Sequence, residues 1–290
     1  MNIPNTEFER YYQQVRARQK RDTFSWSLLL LVLYFAAGSA AEFNLFTIWR
    51  SLPNFLDYMF ETLPTLHVSA LFADVHTKGS LAYWGYRLPI QLPLIWETLQ
   101  LALASTLIAV VIATLLAFLA ANNAWSPPPL RFAIRVVVAF LRTMPELAWA
   151  VIFVMAFGIG AIPGFLALML HTIGRLTKLF YEAVESAQDK PVRGLMACGA
   201  SPIQRIRFAL WPQVKPIFLS YGFMRLEINF RSSTILGMEG AGGIGQELMT
   251  NIKLDRYDQV SITLLLIIIV VSLLDMLSGR LRQWVLEGKK

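Results

Sequence analysis

A single cysteine, Cys198, in 290 residues leaves no internal disulfide to hold a fold, and only 16% of the chain is charged. Soluble domains average about 25% charged residues, so an ordinary water-soluble domain is disfavoured. A phosphate loop of the form G-x-x-x-x-G-K-[ST] is missing, and with it any site for ATP hydrolysis on this chain. A Ser-His-Asp set, a His-rich metal set and paired carboxylates on facing apolar segments are missing too, so no catalytic residue and no metal ligand is assigned. His171 has no second ligand at metal spacing and is expected to be a hydrogen-bonded packing residue.

What is abundant is apolar. Hydrophobic residues make up 56% of the chain, and the mean hydropathy is +0.50. The net charge of +7 could suit nucleic acid, but the 26 Lys and Arg sort by loop instead, which excludes that partner. About 20 mostly apolar residues cross a bilayer as a helix. Six stretches qualify once a few ionisable residues are allowed: 24–41, 98–121, 132–157, 161–180, 217–236 and 260–277. With alternating spans, and with Arg135, Arg175 and Lys178 near span ends counted to the adjoining loops, eighteen basic residues fall on one side and five on the other, and Arg142, Arg225 and Arg231 remain inside spans. The fold class predicted is all-α, a polytopic transmembrane protein of about six spans with both termini cytoplasmic.

Along the chain this gives a basic cytoplasmic tail (1–23), a retained first span (24–41) and an amphipathic outer-face region (42–95). A five-span core (96–280) and a short cytoplasmic tail (281–290) complete it. Membrane lipid is the solvent of the fold, and the outer-face region is expected to lie along its surface.

The cytoplasmic stretch 182–212 is punctuated as short helices. Pro191 suits a first helical turn with Asp189 as cap, Gly199 stops that helix, Ser201 caps the next, Pro202 opens it and Pro212 ends it. The run from Arg193 to Gly199, nine further residues, and then Ala209-Leu210-Trp211-Pro212 resembles the coupling loop of ABC importer permeases; Gly199-Ala200-Ser201-Pro202 is typical of that family. Arg193 stands where the family places Glu, and Gly194, Leu195, Ala209 and Trp211 also depart from its pattern. The segment from Glu227 to Gly245, the segment from Arg142 to Ala150 and the segment from Leu168 to Gly174 closely resemble permeases of phosphonate and phosphite ABC importers.

The resemblance implies a type I ABC importer permease-like fold in a bacterial inner membrane. It implies two ATP-binding subunits, a periplasmic substrate-binding protein and a second permease chain, identical or homologous. ATP and magnesium would sit on the ATPase partners and no cofactor on this chain. The cargo implied is phosphonate, phosphite or hypophosphite, and Pro191, Arg193, Gly199, Ala200, Ser201, Pro202 and Pro212 would meet the ATPase. Arg193 implies either an altered ATPase surface or a heterodimer whose other half keeps the acid.

Charges inside lipid need partners. Arg142 with Glu146, and Glu227 with Arg231, are four apart and can pair along one helical face; Arg225 is expected to snorkel toward the cytoplasm. Arg142, Glu146, Glu227, Asn229 and Arg231 are the expected pathway residues, because the guanidinium fork suits an oxyanion. Gly240-Ala241-Gly242-Gly243-Ile244-Gly245 satisfies G-x-G-x-x-G, yet no parallel βαβ context surrounds it. Gly240, Gly242, Gly243 and Gly245 are expected instead to shape a gate or binding-protein contact between spans five and six, in a loop over 237–257. The alternatives are an ABC importer permease for another small solute, or a secondary transporter, which would not need the cytoplasmic elbow.

Overall fold

A computed structural model describes residues 6–40, 45–64, 66–124 and 126–287 of the chain. The first five residues of the basic tail, Ala41 of the first expected span and the last three residues of the C-terminal tail lie outside these. The chain divides into two units, 1–60 and 61–290.

The first unit holds α1 (Thr6–Ala40) and most of α2 (Leu45–Thr62). In α1 the charges end at Asp22 and an apolar run begins at Phe24, so one helix carries both a polar tail and a membrane-crossing stretch. In α2 the apolar Phe46, Trp49, Leu52, Leu56 and Met59 recur at helical spacing, and Arg50, Asn54, Asp57 and Glu61 fill the opposite face. That separation suits a helix lying in a membrane interface.

In the second unit, a short 3-10 turn (Val68–Ala70) and α3 (Leu81–Trp84) lead into α4 (Leu88–Ala120). Helix α4 starts ten residues before the expected span because Pro89 sits in its first turn and the buried Gln91 finds Thr263 Oγ1 at 2.9 Å. Then come α5 (Pro128–Thr143), α6 (Glu146–Phe157) and α7 (Ala161–Glu185). The elbow is α8 (Asp189–Ala197) and α9 (Pro202–Arg205), followed by α10 (Trp211–Leu236), α11 (Gly243–Lys253) and α12 (Tyr257–Glu287). No strand occurs among the described residues.

Helices α4, α7 and α10 pack on one another, with α5 and α6 against α7 and with α11 and α12 against α10. The buried face of α4 is a stripe of small residues (Ala102, Ser105, Thr106, Ala109, Ala113, Ala117) that lets backbones approach. Its other face shows Leu107, Val111 and Leu115 outward. Below them, Phe180 of α7 stacks on Phe218 of α10 with ring centroids 3.9 Å apart.

Length and composition alone mark three described helices as able to cross a membrane, within α1, α4 and α12. The expected span 132–157 is not one rod: α5 and α6 meet at 86°. Met144 precedes a proline, which disfavours helical geometry there, and it is extended at φ −66°, ψ 127°. Helices α7 and α10, the expected fourth and fifth spans, fall outside that apolar test. Their polar groups are largely turned into the bundle, where His171, Thr172, Arg225, Glu227 and Asn229 are all buried.

Candidate functional site

Helix α10 carries Arg225, Glu227, Asn229, Arg231 and Ser232 in the second half of its length. Asn229, fully buried, donates from Nδ2 to Thr106 Oγ1 of α4 at 2.8 Å and accepts from the Thr172 hydroxyl of α7 at 3.1 Å. Thr172 Oγ1 in turn accepts from Arg225 Nε at 3.3 Å. Arg225 Nη2 lies 3.9 Å from Glu146 Oε2, and the Ser232 hydroxyl donates to the other oxygen of Glu146 at 2.7 Å. One polar seam therefore runs from α4 through α7 and α10 to the first residue of α6. A buried polar group left unmatched costs about 1–3 kcal/mol, so the seam fixes the register of four helices.

Two expectations are corrected here. Arg142 and Glu146 do not pair, because the break at Met144-Pro145 destroys the four-residue spacing; Glu146 goes to Arg225 and Ser232 instead. Arg225 does not snorkel to the cytoplasmic face: it is only 7% exposed and reaches across to α6 and α7. Glu227 and Arg231 do form an ion pair along α10, with the Arg231 side chain half-exposed and Glu227 nearly covered. Asn229 is engaged on both amide atoms, so it ties the seam and faces no open space. Arg142 and Arg175 have no acidic partner among the described residues. His171 uses Nδ1 toward Met144 O at 3.2 Å and Nε2 toward Arg175 Nε at 3.0 Å, so it closes the end of α5.

Sequence reasoning passed over Thr106, Thr172 and Ser232. Hydroxyls inside apolar helices usually bond back to their own backbone, as Thr106 also does to Ala102 O at 2.6 Å. The signal that could have flagged Thr172 was its place beside His171.

The elbow lies at the start of α10. Helix α8 ends in a Schellman arrangement: Gly199 N–H donates to Met196 O and Ala200 N–H to Leu195 O, both at 3.0 Å, with Gly199 at φ +76°. Ser201 and Gln204 then form a reciprocal capping box at the start of α9, with Pro202 in the first turn. Asp189 is the first residue of α8 and not its cap; it pairs with Arg193 at 3.4 Å on an exposed surface. Pro191 is exposed in the same first turn.

Pro212 does not end the second elbow helix. A wide π turn over Ile206–Leu210, in which Trp211 N–H reaches back to Ile206 O, joins α9 to α10, and Pro212 lies in the first turn of α10. A proline ring would strike the carbonyl four residues back in a regular helix, and the wider turn moves that carbonyl aside. Val192 anchors the elbow among Ala209, Leu210 and Val214, while Met196, Ile203 and Phe208 remain exposed at 54%, 76% and 62%.

At the far end of α10 a second π turn, Gly237–Ala241, carries the glycines. Much of the expected loop 237–257 is helical, since α11 begins at Gly243. Gly242, Gly243 and Gly245 are buried and only Gly240 is partly open. A Cβ at Gly245 would overlap the Thr234 carbonyl, and one at Gly243 would overlap the Thr98 hydroxyl that accepts from Ile244 N–H at 2.9 Å. These glycines admit close helix packing and cradle no dinucleotide. Nearby, Arg87 and Glu247 pair at 2.7 Å, and a cleft of about 530 Å³ is lined by Lys78, Tyr83, Tyr86, Asp255, Arg256 and Asp258 among others. Sequence reasoning did not single out that cleft.

Residues 113–288 match the family model described as binding-protein-dependent transport system inner membrane component. The chain is 47% identical over 200 residues to the phosphite transport system permease protein PtxC of Stutzerimonas stutzeri, covering 69% of this chain and 72% of that protein. It is 36% identical over 194 residues to the phosphate-import permease protein PhnE of Mycolicibacterium smegmatis, covering 67% of this chain and 36% of that protein. Among solved structures, the inward-facing MetNI methionine ABC transporter aligns with a TM-score of 0.61 at 20% identity, over 69% of this chain and 98% of that one, a likeness of fold.

Proposed function

Because the chain belongs to the binding-protein-dependent transport system inner membrane component family, we propose that it carries a small phosphorus oxyanion, phosphite or a phosphonate, through the membrane. It is the permease subunit of an ABC importer, a multi-pass inner-membrane protein. The observation that carries the cargo is the identity of 47% with PtxC. Buried arginine in the bundle is in keeping with an anion, since an uncompensated negative charge would otherwise meet low dielectric.

In this reading both termini face the cytoplasm, and two ATP-binding subunits hold ATP and magnesium and do the hydrolysis. A periplasmic binding protein delivers the anion, and a second permease chain completes the pathway. The elbow, with Pro191, Arg193, Gly199, Ala200, Ser201 and Pro202 around its exposed Met196, Ile203 and Phe208, seats on the ATPase. The glycine turn, open at Gly240, lies at the delivery end as gate or contact.

The test is uptake of labelled phosphite and methylphosphonate in cells lacking their own importers. The chain is expressed together with the ATPase and binding-protein genes of its own genome. Saturable uptake that disappears when the ATPase is disabled is expected. Uptake of phosphate alone would favour a second reading, supported by the 36% identity with PhnE. A chain that purifies in mild detergent without any ATPase would return the secondary-transporter reading.

A further inference from the structure

The seam has one loose joint. Every step from Thr106 to Thr172 and from Ser232 to Glu146 is a hydrogen bond of 2.7–3.1 Å, but the Arg225–Glu146 contact is 3.9 Å long. Arg225 Nη2 is buried and has no hydrogen-bond partner. A guanidinium is a fork of fixed donors, and here Nε is spent on Thr172 while an outer nitrogen waits opposite a carboxylate that does not close on it.

Glu146 is free to be the moving partner. It is the first residue of α6, directly after the extended Met144 and Pro145, and its side chain is 26% exposed against 8% for Arg225. Drawn away from Arg225, its carboxylate keeps the Ser232 hydroxyl and the positive end of α6. The local charge also leaves room for another anion. Around the α5–α6 break stand Arg142, Arg175 and Arg225 against Glu146, an excess of two positive charges, with Arg142 and Arg175 lacking an acidic partner among the described residues.

We propose that Arg225 is an intramembrane station for a small tetrahedral oxyanion of one or two negative charges, and that Glu146 is a displaceable stand-in occupying the guanidinium while no cargo is present. The incoming oxyanion takes the free Nη2 donor, Glu146 withdraws to Ser232, and Thr172 keeps the guanidinium oriented. This rests on the oxyanion-importer reading and names the residue of this chain that touches the cargo.

The experiment uses the whole complex with phosphite as probe. In Arg225→Gln, Glu146 is left as a part-buried carboxylate without its guanidinium, and both assembly and uptake should fall. The decisive variant is Arg225→Gln with Glu146→Gln, which replaces the pair by neutral polar groups. Assembly should return to within twofold of wild type while phosphite uptake stays below a tenth, with phosphite affinity of the binding protein unchanged. Recovery of uptake to within twofold would overturn the proposal, because the pair would then only neutralise itself. A double variant that fails to assemble overturns it as well, since the guanidinium would then be needed for the fold. Absence of phosphite uptake in wild type sinks the cargo reading instead, before any variant is compared.

Discussion

The two ends of α10 each depend on glycine, for opposite reasons. At the elbow, Gly199 sits at φ +76° with nothing within 4 Å of where a Cβ would stand, so its value is conformational. At the far turn, Gly245 has no unusual φ but no room either, because the Thr234 carbonyl occupies the Cβ position. Gly243 combines both constraints, at φ +70° against Thr98. An exposed elbow tolerates volume and needs a bend. A turn packed between α4 and α10 needs backbone contact.

The largest effect belongs to Gly245→Ala. A methyl driven into backbone should cost about 3 kcal/mol or more, seen as loss of monodisperse protein on size exclusion in mild detergent. Near-normal yield would show the turn to be looser than its packing implies. Gly243→Ala should cost about 2 kcal/mol from strain and overlap together. Adding Thr98→Ala should return part of that loss in thermal unfolding, and strict additivity of the two changes would mean that they do not touch. The smallest effect belongs to Gly199→Ala, about 1 kcal/mol from the left-handed backbone alone, with Gly199→Asn milder still. Gly199→Trp should leave the chain folded yet reduce co-purifying ATPase, which separates a surface role from a packing one.

How much of this was legible in the sequence depends on range. Gly199, Ser201 and Pro202 punctuate the elbow through interactions within a few residues, and the Glu227–Arg231 pair follows from one turn of a continuous helix. Arg142 and Glu146 have the same spacing, but Pro145 lies between them; the proline overrides the periodicity, and that signal stood in the sequence. Pro212 has the local signature of a helix end, yet the π turn before it accommodates a proline that a regular helix would not. The destination of Arg225 was out of reach: Glu146 and Thr172 are distant along the chain and meet it only when α6, α7 and α10 are packed. Nothing in the local pattern distinguishes such an arginine from one reaching for the interface.

The surplus of arginine over glutamate at the α5–α6 break also bears on electrical work. Carrying an anion into a cell whose interior is negative costs about 2.3 kcal/mol per charge for each 100 mV, hence about 4.6 kcal/mol for a dianion at that potential. Fixed charges inside the bundle leave the free-energy difference between the two aqueous sides untouched and can lower only the barrier between them. ATP hydrolysis must therefore supply the whole electrical work of accumulation; on the proposal that Arg225 meets the cargo, the arginines would govern the speed of crossing while the nucleotide governs the gradient reached.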